Sequence, residues 1–208
     1  RRSVLEGAST NISTPMNLEI VFATGNAHKI REVAALLPPG IRLKSLADIG
    51  CTGELPETTP TIEGNALQKA RYVHAHYGVN CFAEDTGLEI DALNGEPGVR
   101  SARYAGEDKQ AEDNTRLVLA KMKGIADRRA RFRTVIALIL DGKEHVFEGV
   151  AEGQIAASPA GNGGFGYDPI FVPEGAHRSF AEMDTEEKGA ISHRGKAVAK
   201  LLAFLTTL

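Results

Sequence analysis

The sequence predicts an α/β protein. Three observations carry the prediction. Short apolar strands alternate with helical patterns along the chain. The first strand runs through a glycine turn directly into a helix. A nearly unbroken apolar run, Thr134–Leu140, is followed by Asp141-Gly142, a strong hairpin signal. With 208 residues the chain is long enough for one domain with a sizeable core, and for two lobes within it. The net charge of −3 argues against a general nucleic-acid binder, which needs a basic surface, but leaves room for a small anion in a local basic pocket. No apolar run reaches membrane-spanning length. Cys51 and Cys81 show no ligand-like spacing and read as reduced thiols of a cytoplasmic protein. Residues 1–15 hold hydroxyl and basic side chains without an apolar block, so they are no secretory signal. They are expected to be a disordered extension or a cloning remnant, with the native start at Met16 and a single domain over 16–208.

In chain order, Leu18–Ala23 reads as a strand and Thr24-Gly25-Asn26 as a turn. Asn26 is a good N-cap for a helix whose stripe is Ile30, Val33, Ala34 and Leu37, stopped by Pro38-Pro39. Strand, glycine turn and helix N-terminus form a general anion site, because free N–H groups and the helix dipole face the turn. Lys29 lies in the first turn, where it is either the partner of such an anion or a solvated lysine. Ile41–Leu46 is a second strand, and the loop after it carries Glu54 and Glu57. Pro60 opens a helix with stripe Ile62, Ala66, Ala70, Val73 and Tyr77, ended by Gly78. Lys69 falls beside that stripe; snorkelling outward is the default expectation and entry into a cleft the alternative.

Cys81–Glu84 reads as a buried strand that stops at Asp85-Thr86-Gly87. Burying an unpaired carboxylate is costly or forces it to take up a proton. Either something cationic meets Glu84 and Asp85, or Asp85 bonds its own backbone in a turn. Leu88–Leu93 reads as a further strand, and a helix follows near Asp108–Lys123 with Ala111, Thr115, Val118 and Met122 inside. Arg128, Arg129, Arg131 and Arg133 read as a solvated face leading into the Thr134–Leu140 strand, with Glu144–Ala157 returning. Gly161–Gly166 matches a dinucleotide fingerprint, but it neither follows a strand nor opens a helix, so the match is rejected. The segment is a loop whose backbone approaches a ligand, or a plain turn. Glu182–Lys188 reads as a short helical turn. Ser192 caps the last helix, with Ala197, Val198, Leu201, Leu202 and Leu205 inside and His193 and Arg194 in its first turn.

Together these pieces supply an anion site (Asn26, Lys29), further cations (Lys69, Lys188), acids (Glu57, Glu84, Asp85) and base-reading candidates (Phe165, His193, Arg194). That inventory fits a nucleoside triphosphate carried with a divalent cation. At this point the chain resembles a known family. Thr24-Gly25-Asn26-Ala27-His28-Lys29, Asp85-Thr86-Gly87-Leu88, Asn94-Gly95-Glu96-Pro97-Gly98, Ser101-Ala102-Arg103-Tyr104, Gly164-Phe165-Gly166-Tyr167-Asp168-Pro169 and Ser192-His193-Arg194-Gly195 resemble, in order, the motifs of the inosine/xanthosine triphosphate pyrophosphatases. Arg100 departs from the pattern, where bacterial members often carry tyrosine; the expected effect is on local packing.

The resemblance implies a long mixed sheet flanked by helices, in two lobes around a central active-site cleft. It implies hydrolysis of ITP, dITP and XTP to the monophosphate and pyrophosphate, a Mg²⁺ requirement, a homodimer, and no nucleic-acid or membrane partner. Carried over by motif, Thr24, Gly25, Asn26, Ala27, His28 and Lys29 cradle the phosphates. Glu57 and Asp85 are metal-associated, and Asp85 is also the catalytic base. Lys69, Thr86 and Lys188 contact the nucleotide. Phe165, Gly166, Tyr167 and Asp168 form the base and sugar pocket with His193 and Arg194, and Arg194 or nearby N–H groups donate to the purine 6-oxygen. Glu84 stays open between an acid supporting the site and a structural partner. A pyrophosphatase for modified pyrimidine nucleotides and a non-catalytic nucleotide binder are the competing readings.

Overall fold

The computed structural model describes residues 17–208; the expectations for residues 1–15 and for Met16 fall outside the described residues. Strand β1 (Leu18–Phe22) lies between β2 (Ile41–Lys44) and the start of β3 (Cys81–Ile90), parallel to both. Parallel neighbours need crossover connections, supplied by helices α1 (Ala27–Ala34) and α2 (Ile62–Tyr77). The sheet continues antiparallel through β5 (Arg129–Leu140), β6 (Lys143–Ile155) and β7 (Phe171–Pro173), while β4 (Pro97–Gly98) pairs with the far end of β3. Helices α3 (Ala111–Lys121), α4 (Thr185–Ile191) and α5 (His193–Leu205) complete the frame. The β5–β6 hairpin turns at Asp141 (φ 48°) and Gly142 (φ 75°), both left-handed as a two-residue hairpin of this twist requires.

One expectation is corrected here. Glu84-Asp85-Thr86-Gly87 is not a strand end: β3 runs unbroken for 10 residues and pairs with β5 throughout, Glu84 opposite Ile136 and Asp85 opposite Val135. The continuous ladder satisfies the backbone, so no turn is needed to absorb the acids. Strand structure stops at Ile90, and Asp91–Leu93 is a 3₁₀ turn instead of more strand. Helix α1 ends at Ala34, before the two prolines. In α3 the buried positions are Asn114, Thr115 and Val118, whereas Ala111 is exposed.

Apolar side chains gather in three clusters among the described residues. On one face of the sheet Val21, Cys81, Ala83, Val135 and Ala137 pack beneath Ile62, Ala66, Ala70 and Val73 of α2. On the other, Ile20, Phe22, Phe82, Ile136 and Leu138 pack beneath Ala197, Val198 and Leu201 of α5. Beyond Gly87 the partners change: Leu88, Ile90 and Phe132 join Val118, Met122, Ile170, Phe171 and Phe180. A Cβ at Gly87 would strike the carbonyl of Gly98 and Ile62, so glycine is what lets β4 and α2 close on the strand there. Glu84–Gly87 therefore lies where the clusters meet, and the cleft opens at that junction.

Three arginines of the basic run meet carboxylates: Arg131 pairs with Glu89 (2.6 Å), Arg133 with Glu148, and Arg129 with Asp127 (2.7 Å), while Arg128 donates to the carbonyls of Ile155 and Ala156. No helix among the described residues is long and apolar enough to cross a membrane. Cys51 and Cys81 are free and buried.

Candidate active-site cleft

Strand alternation decides what the two adjacent acids meet. Consecutive side chains point to opposite faces, so Glu84 shares the α5 face with Phe82, and Asp85 shares the α2 face with Ala83. Glu84 receives Arg194 as a fork: Nε lies 3.0 and 2.8 Å from its two oxygens and Nη2 2.8 Å from Oε1. Lys29 adds a further ion pair at 3.1 Å. Burial raises the Glu84 carboxyl, but Arg194 and Lys29 outweigh it and hold the group far below the ordinary carboxylate range. The structure thus resolves Glu84 as the buried anchor of two site cations. A Cβ at Gly149 of β6 would collide with the His193 carbonyl, so glycine there lets the first turn of α5 sit directly on the sheet and deliver Arg194.

Asp85 is less compensated. Its Oδ2 accepts from Asn65 Nδ2 (3.3 Å), and its Oδ1 lies 3.5 Å from Lys69 Nζ. Lys69 lies closer to Glu57, at 2.6 Å. Burial raises the Asp85 carboxyl above its ordinary value, and Lys69 and Lys29 oppose the rise without cancelling it. Burial also raises Glu57, but Lys69 overcomes it, with Arg103 assisting, and brings the group down to about 2. Lys69 is only 5% exposed, so the snorkelling expectation is overturned: two carboxylates draw its ammonium inward.

At the start of α1, Asn26 caps the helix as expected, its Oδ1 accepting from the N–H groups of His28 (2.9 Å) and Lys29 (3.2 Å). That cap takes two donors the anion reading relied on, leaving the Lys29 ammonium as the main charge there. Thr24, Gly25, Asn26, His28 and Lys29 line the cleft. Ala27 does not; it opens α1 with its methyl exposed.

The opposite wall is the glycine loop. Phe165 stacks on His28 with centroids 5.1 Å apart, and Lys188 and Arg194 lie over its ring at 5.0 and 5.4 Å. Asp168 fixes the loop by accepting from Phe165 N (2.8 Å) and from Lys188 Nζ (2.6 Å). Burial raises the Asp168 carboxyl despite Lys188. Gly166 and Tyr167 also line the cavity, the Tyr167 hydroxyl donating to the Ser101 carbonyl (2.7 Å). His193 stacks on Phe132 at 4.4 Å, and its Nδ1 is buried with no hydrogen-bond partner. Burial, then Arg194 and Lys188, keep its pKa well below the ordinary value, so the ring is neutral. Thr86 shares a hydrogen bond with Thr134 (2.6 Å).

The cavity these walls enclose measures about 690 Å³, within the range of ligand sites. Its ion pairs have a telling balance. Lys29, Lys69, Arg103, Lys188 and Arg194 face Glu32, Glu57, Glu84, Asp85 and Asp168. Five formal positive charges meet five negative ones, so these ion pairs leave no net positive charge for a polyphosphate. Glu57 and Asp85 supply hard oxygen donors suited to Mg²⁺, which is commonly held by one or two carboxylates together with substrate phosphates. No cluster of three or more metal-binding side chains occurs among the described residues, so the donor set fits an ion brought and completed by phosphate, and does not fit an all-protein cage.

Some site residues were not singled out from sequence. Glu32 on α1 bridges Lys188 (2.5 Å) and Arg194. Asn65 holds Asp85 while its own Oδ1 accepts from Thr59 N (3.0 Å) and Thr59 Oγ1 (2.8 Å). Arg103 pairs with Glu57 (3.1 Å). Asn65 lies one turn before Lys69 on the helix, at the spacing of one face, which was the signal available. Arg103 stood inside a recognised motif. Nothing local marks Glu32.

Fold and cleft together define an α/β protein built to hold a polyanion beside a partly compensated, buried carboxyl group. The chain belongs to the Ham1 family, whose model matches residues 20–204. It is 52% identical over 189 residues to the dITP/XTP pyrophosphatase of Flavobacterium johnsoniae, covering 91% of this chain and 98% of that one. It is also 52% identical over 188 residues to the dITP/XTP pyrophosphatase of Porphyromonas gingivalis, with coverage of 90% and 97%. Among solved structures, the HAM1 protein of Coxiella burnetii matches with a TM-score of 0.84 at 40% identity, covering 92% of this chain and 100% of that one.

Proposed function

We propose that this cleft hydrolyses non-standard purine nucleoside triphosphates, ITP, dITP and XTP, to the monophosphate and pyrophosphate. Such an activity removes these nucleotides from the pool. The observation that carries the reading is Asp85, a buried carboxyl with a raised pKa set among cations in a cleft with an aromatic wall. A base poised nearer neutrality is what proton abstraction from water requires. The names of the bacterial relatives agree with it.

In this reading Asp85 takes the proton of the attacking water. Thr24, Gly25, Asn26, His28, Lys29 and Lys69 hold the phosphates, and Thr86 and Lys188 complete the nucleotide contacts. Ala27 keeps only a place in the motif. Phe165, Gly166, Tyr167, Asp168 and His193 surround base and sugar. Arg194 is a poor donor to the purine 6-oxygen, because its guanidinium is committed to Glu84, Glu32 and Thr86. The 6-oxygen donor therefore falls to the neutral His193 ring or to loop N–H groups, and an adenine amino group would oppose such a donor. Glu57 and Asp85 would hold Mg²⁺, whose chemistry is to neutralise phosphate charge; ion pairs that leave no net positive charge favour that requirement. Residues 16–208 act as one domain of a cytoplasmic homodimer. The free cysteines agree with that compartment, and light scattering of the purified protein tests the dimer.

Pyrophosphate release from ITP, XTP, ATP, GTP and modified pyrimidine triphosphates, with and without Mg²⁺, tests the proposal. ITP and XTP should be turned over only with the metal. Equal rates on ATP would refute the base assignment, and release from none would refute the enzymatic one.

A further inference from the structure

Every inner cation of the cleft is already engaged. Lys188 is held by Glu32 and Asp168, Lys69 by Glu57 and Asp85, Arg194 by Glu84 and Glu32, and Lys29 by Glu84. A leaving pyrophosphate concentrates negative charge at one end of the substrate, and these groups offer it little uncommitted charge. Two cleft-lining cations differ from the rest, Arg103 and Lys109.

Arg103 belongs with Glu57, Lys69 and Asp85 to one group of ion pairs, and among the described residues no ion pair joins it to the group of Arg194, Glu84 and Lys188. Its partners are water-accessible: Glu57 at 3.1 Å is 25% exposed and Glu107 at 3.3 Å is 80% exposed. Its Nη2 donates to no group among the described residues. Buried groups hold its backbone from both sides. Ser101 Oγ accepts from Leu88 N (2.8 Å) and donates to Gly98 O (2.6 Å). Asn114 accepts from Ala105 N (2.7 Å) and donates to Ala102 O (3.0 Å). Buried polar side chains thus fix a short segment whose one cleft-facing cation keeps donors to spare. Lys109 is a non-glycine residue at φ 54°, a backbone state such residues adopt at a cost. Among the described residues its ammonium approaches one carboxylate, that of Glu54 at 4.0 Å, which is 92% exposed.

We propose that Arg103, with Lys109 as a second cation of the cleft lining, binds the terminal phosphates and receives the departing pyrophosphate. Arg103 exchanges Glu57 for phosphate, because a guanidinium fork matches phosphate oxygens and binds them more strongly than one shared carboxylate oxygen. The exchange also frees a Glu57 oxygen. In the reaction a water oxygen bonds to the α-phosphorus as the bond to the bridging oxygen breaks. The bonding pair leaves with pyrophosphate, and the water proton passes to Asp85. Arg103 and Lys109 meet the charge that appears on the leaving group.

This inference rests on the proposed pyrophosphatase reading, and direct binding separates the two. Titrating Mg²⁺-pyrophosphate and, separately, inosine monophosphate into the protein needs no turnover. Arg103→Ala should weaken pyrophosphate binding about 10–100-fold, the loss of a charge-assisted contact, and leave monophosphate binding unchanged. Arg103→Lys should recover part of the loss, since it keeps charge but not the fork. Lys109→Ala should show a smaller effect of the same selectivity. Equal weakening for both ligands would make Arg103 merely a brace for Glu57 and overturn the proposal, as would unchanged pyrophosphate binding. If Arg103→Ala does not fold, the Arg103→Lys comparison carries the same test. Absence of turnover in the wild type, with selective pyrophosphate binding intact, would reject the activity and keep the clamp.

Discussion

Glu84 and Asp85 are chemical neighbours with opposite environments. Glu84 faces α5 and meets a complete arginine fork plus Lys29; Asp85 faces α2 and shares a lysine that lies nearer Glu57. Burial acts on both in the same direction. Close, numerous cations reverse it for Glu84, while a longer contact does not reverse it for Asp85. One carboxylate is held ionised as a structural anchor, and the next is left able to exchange a proton. The difference shows how a single strand can hold one carboxylate fully compensated on one face and leave its neighbour less compensated on the other.

The largest effect that would test this contrast is on turnover. Asp85→Asn should lower kcat by about 10²–10⁴-fold while thermal unfolding shifts upward or stays unchanged. A carboxyl with a raised folded-state pKa contributes stability below its unfolded value and loses it as pH rises through the folded one, so its charge is a burden at neutral pH. Near-native kcat would remove Asp85 from the base role. Glu84→Gln should behave differently, destabilising the protein by about 3–5 kcal/mol in urea unfolding, because Arg194 is left buried with Glu32 as its remaining carboxylate. Comparable stability losses in the two variants would erase the distinction. Lys29→Ala should lose roughly 2.7–4 kcal/mol of transition-state stabilisation, by analogy with removal of one preorganised donor; unchanged kcat/KM would count against its phosphate contact.

The smallest effect is a separation in pH. Asp85 must be ionised to accept a proton, so kcat/KM should fall on acidification with an apparent pKa above the ordinary aspartate value of 3.8. Glu57, lowered to about 2, and Glu84, lowered further still, contribute stability at higher pH. That stability is lost only as pH falls from the ordinary carboxylate range through their folded values. Activity should therefore disappear at a higher pH than folded structure, as followed by circular dichroism. Coincident transitions would mean that Asp85 and Glu84 do not differ as described.

Much of this was legible residue by residue. Asn26 and Ser192 cap helices because their side chains accept from nearby N–H groups, a local event that needs no tertiary partner. The hairpin at Asp141-Gly142 is equally local. The reading of Glu84-Asp85 as a strand end failed because two acids look like a turn until their cations are known. Lys69 was misjudged for the same reason: helical spacing placed it at the edge of the buried face, but only Glu57 and Asp85, from other segments, turn it inward. Glu32 has no distinguishing local pattern, and Arg103 lies in a recognised motif that by itself assigns it no partner.

The sequence alone determined the α/β class, most element positions, the motif residues and, through them, the family. Those depend on periodicity, capping and residue order, which are short-range properties of the chain. Tertiary structure decided which face each acid occupies, that α5 delivers Arg194 to Glu84, and that Glu57 and Asp85 share one lysine. It also paired the inner cations of the cleft with carboxylates from distant segments. Charge compensation depends on distances between segments far apart in sequence, as between Glu84 and Arg194, and only the folded packing sets those distances.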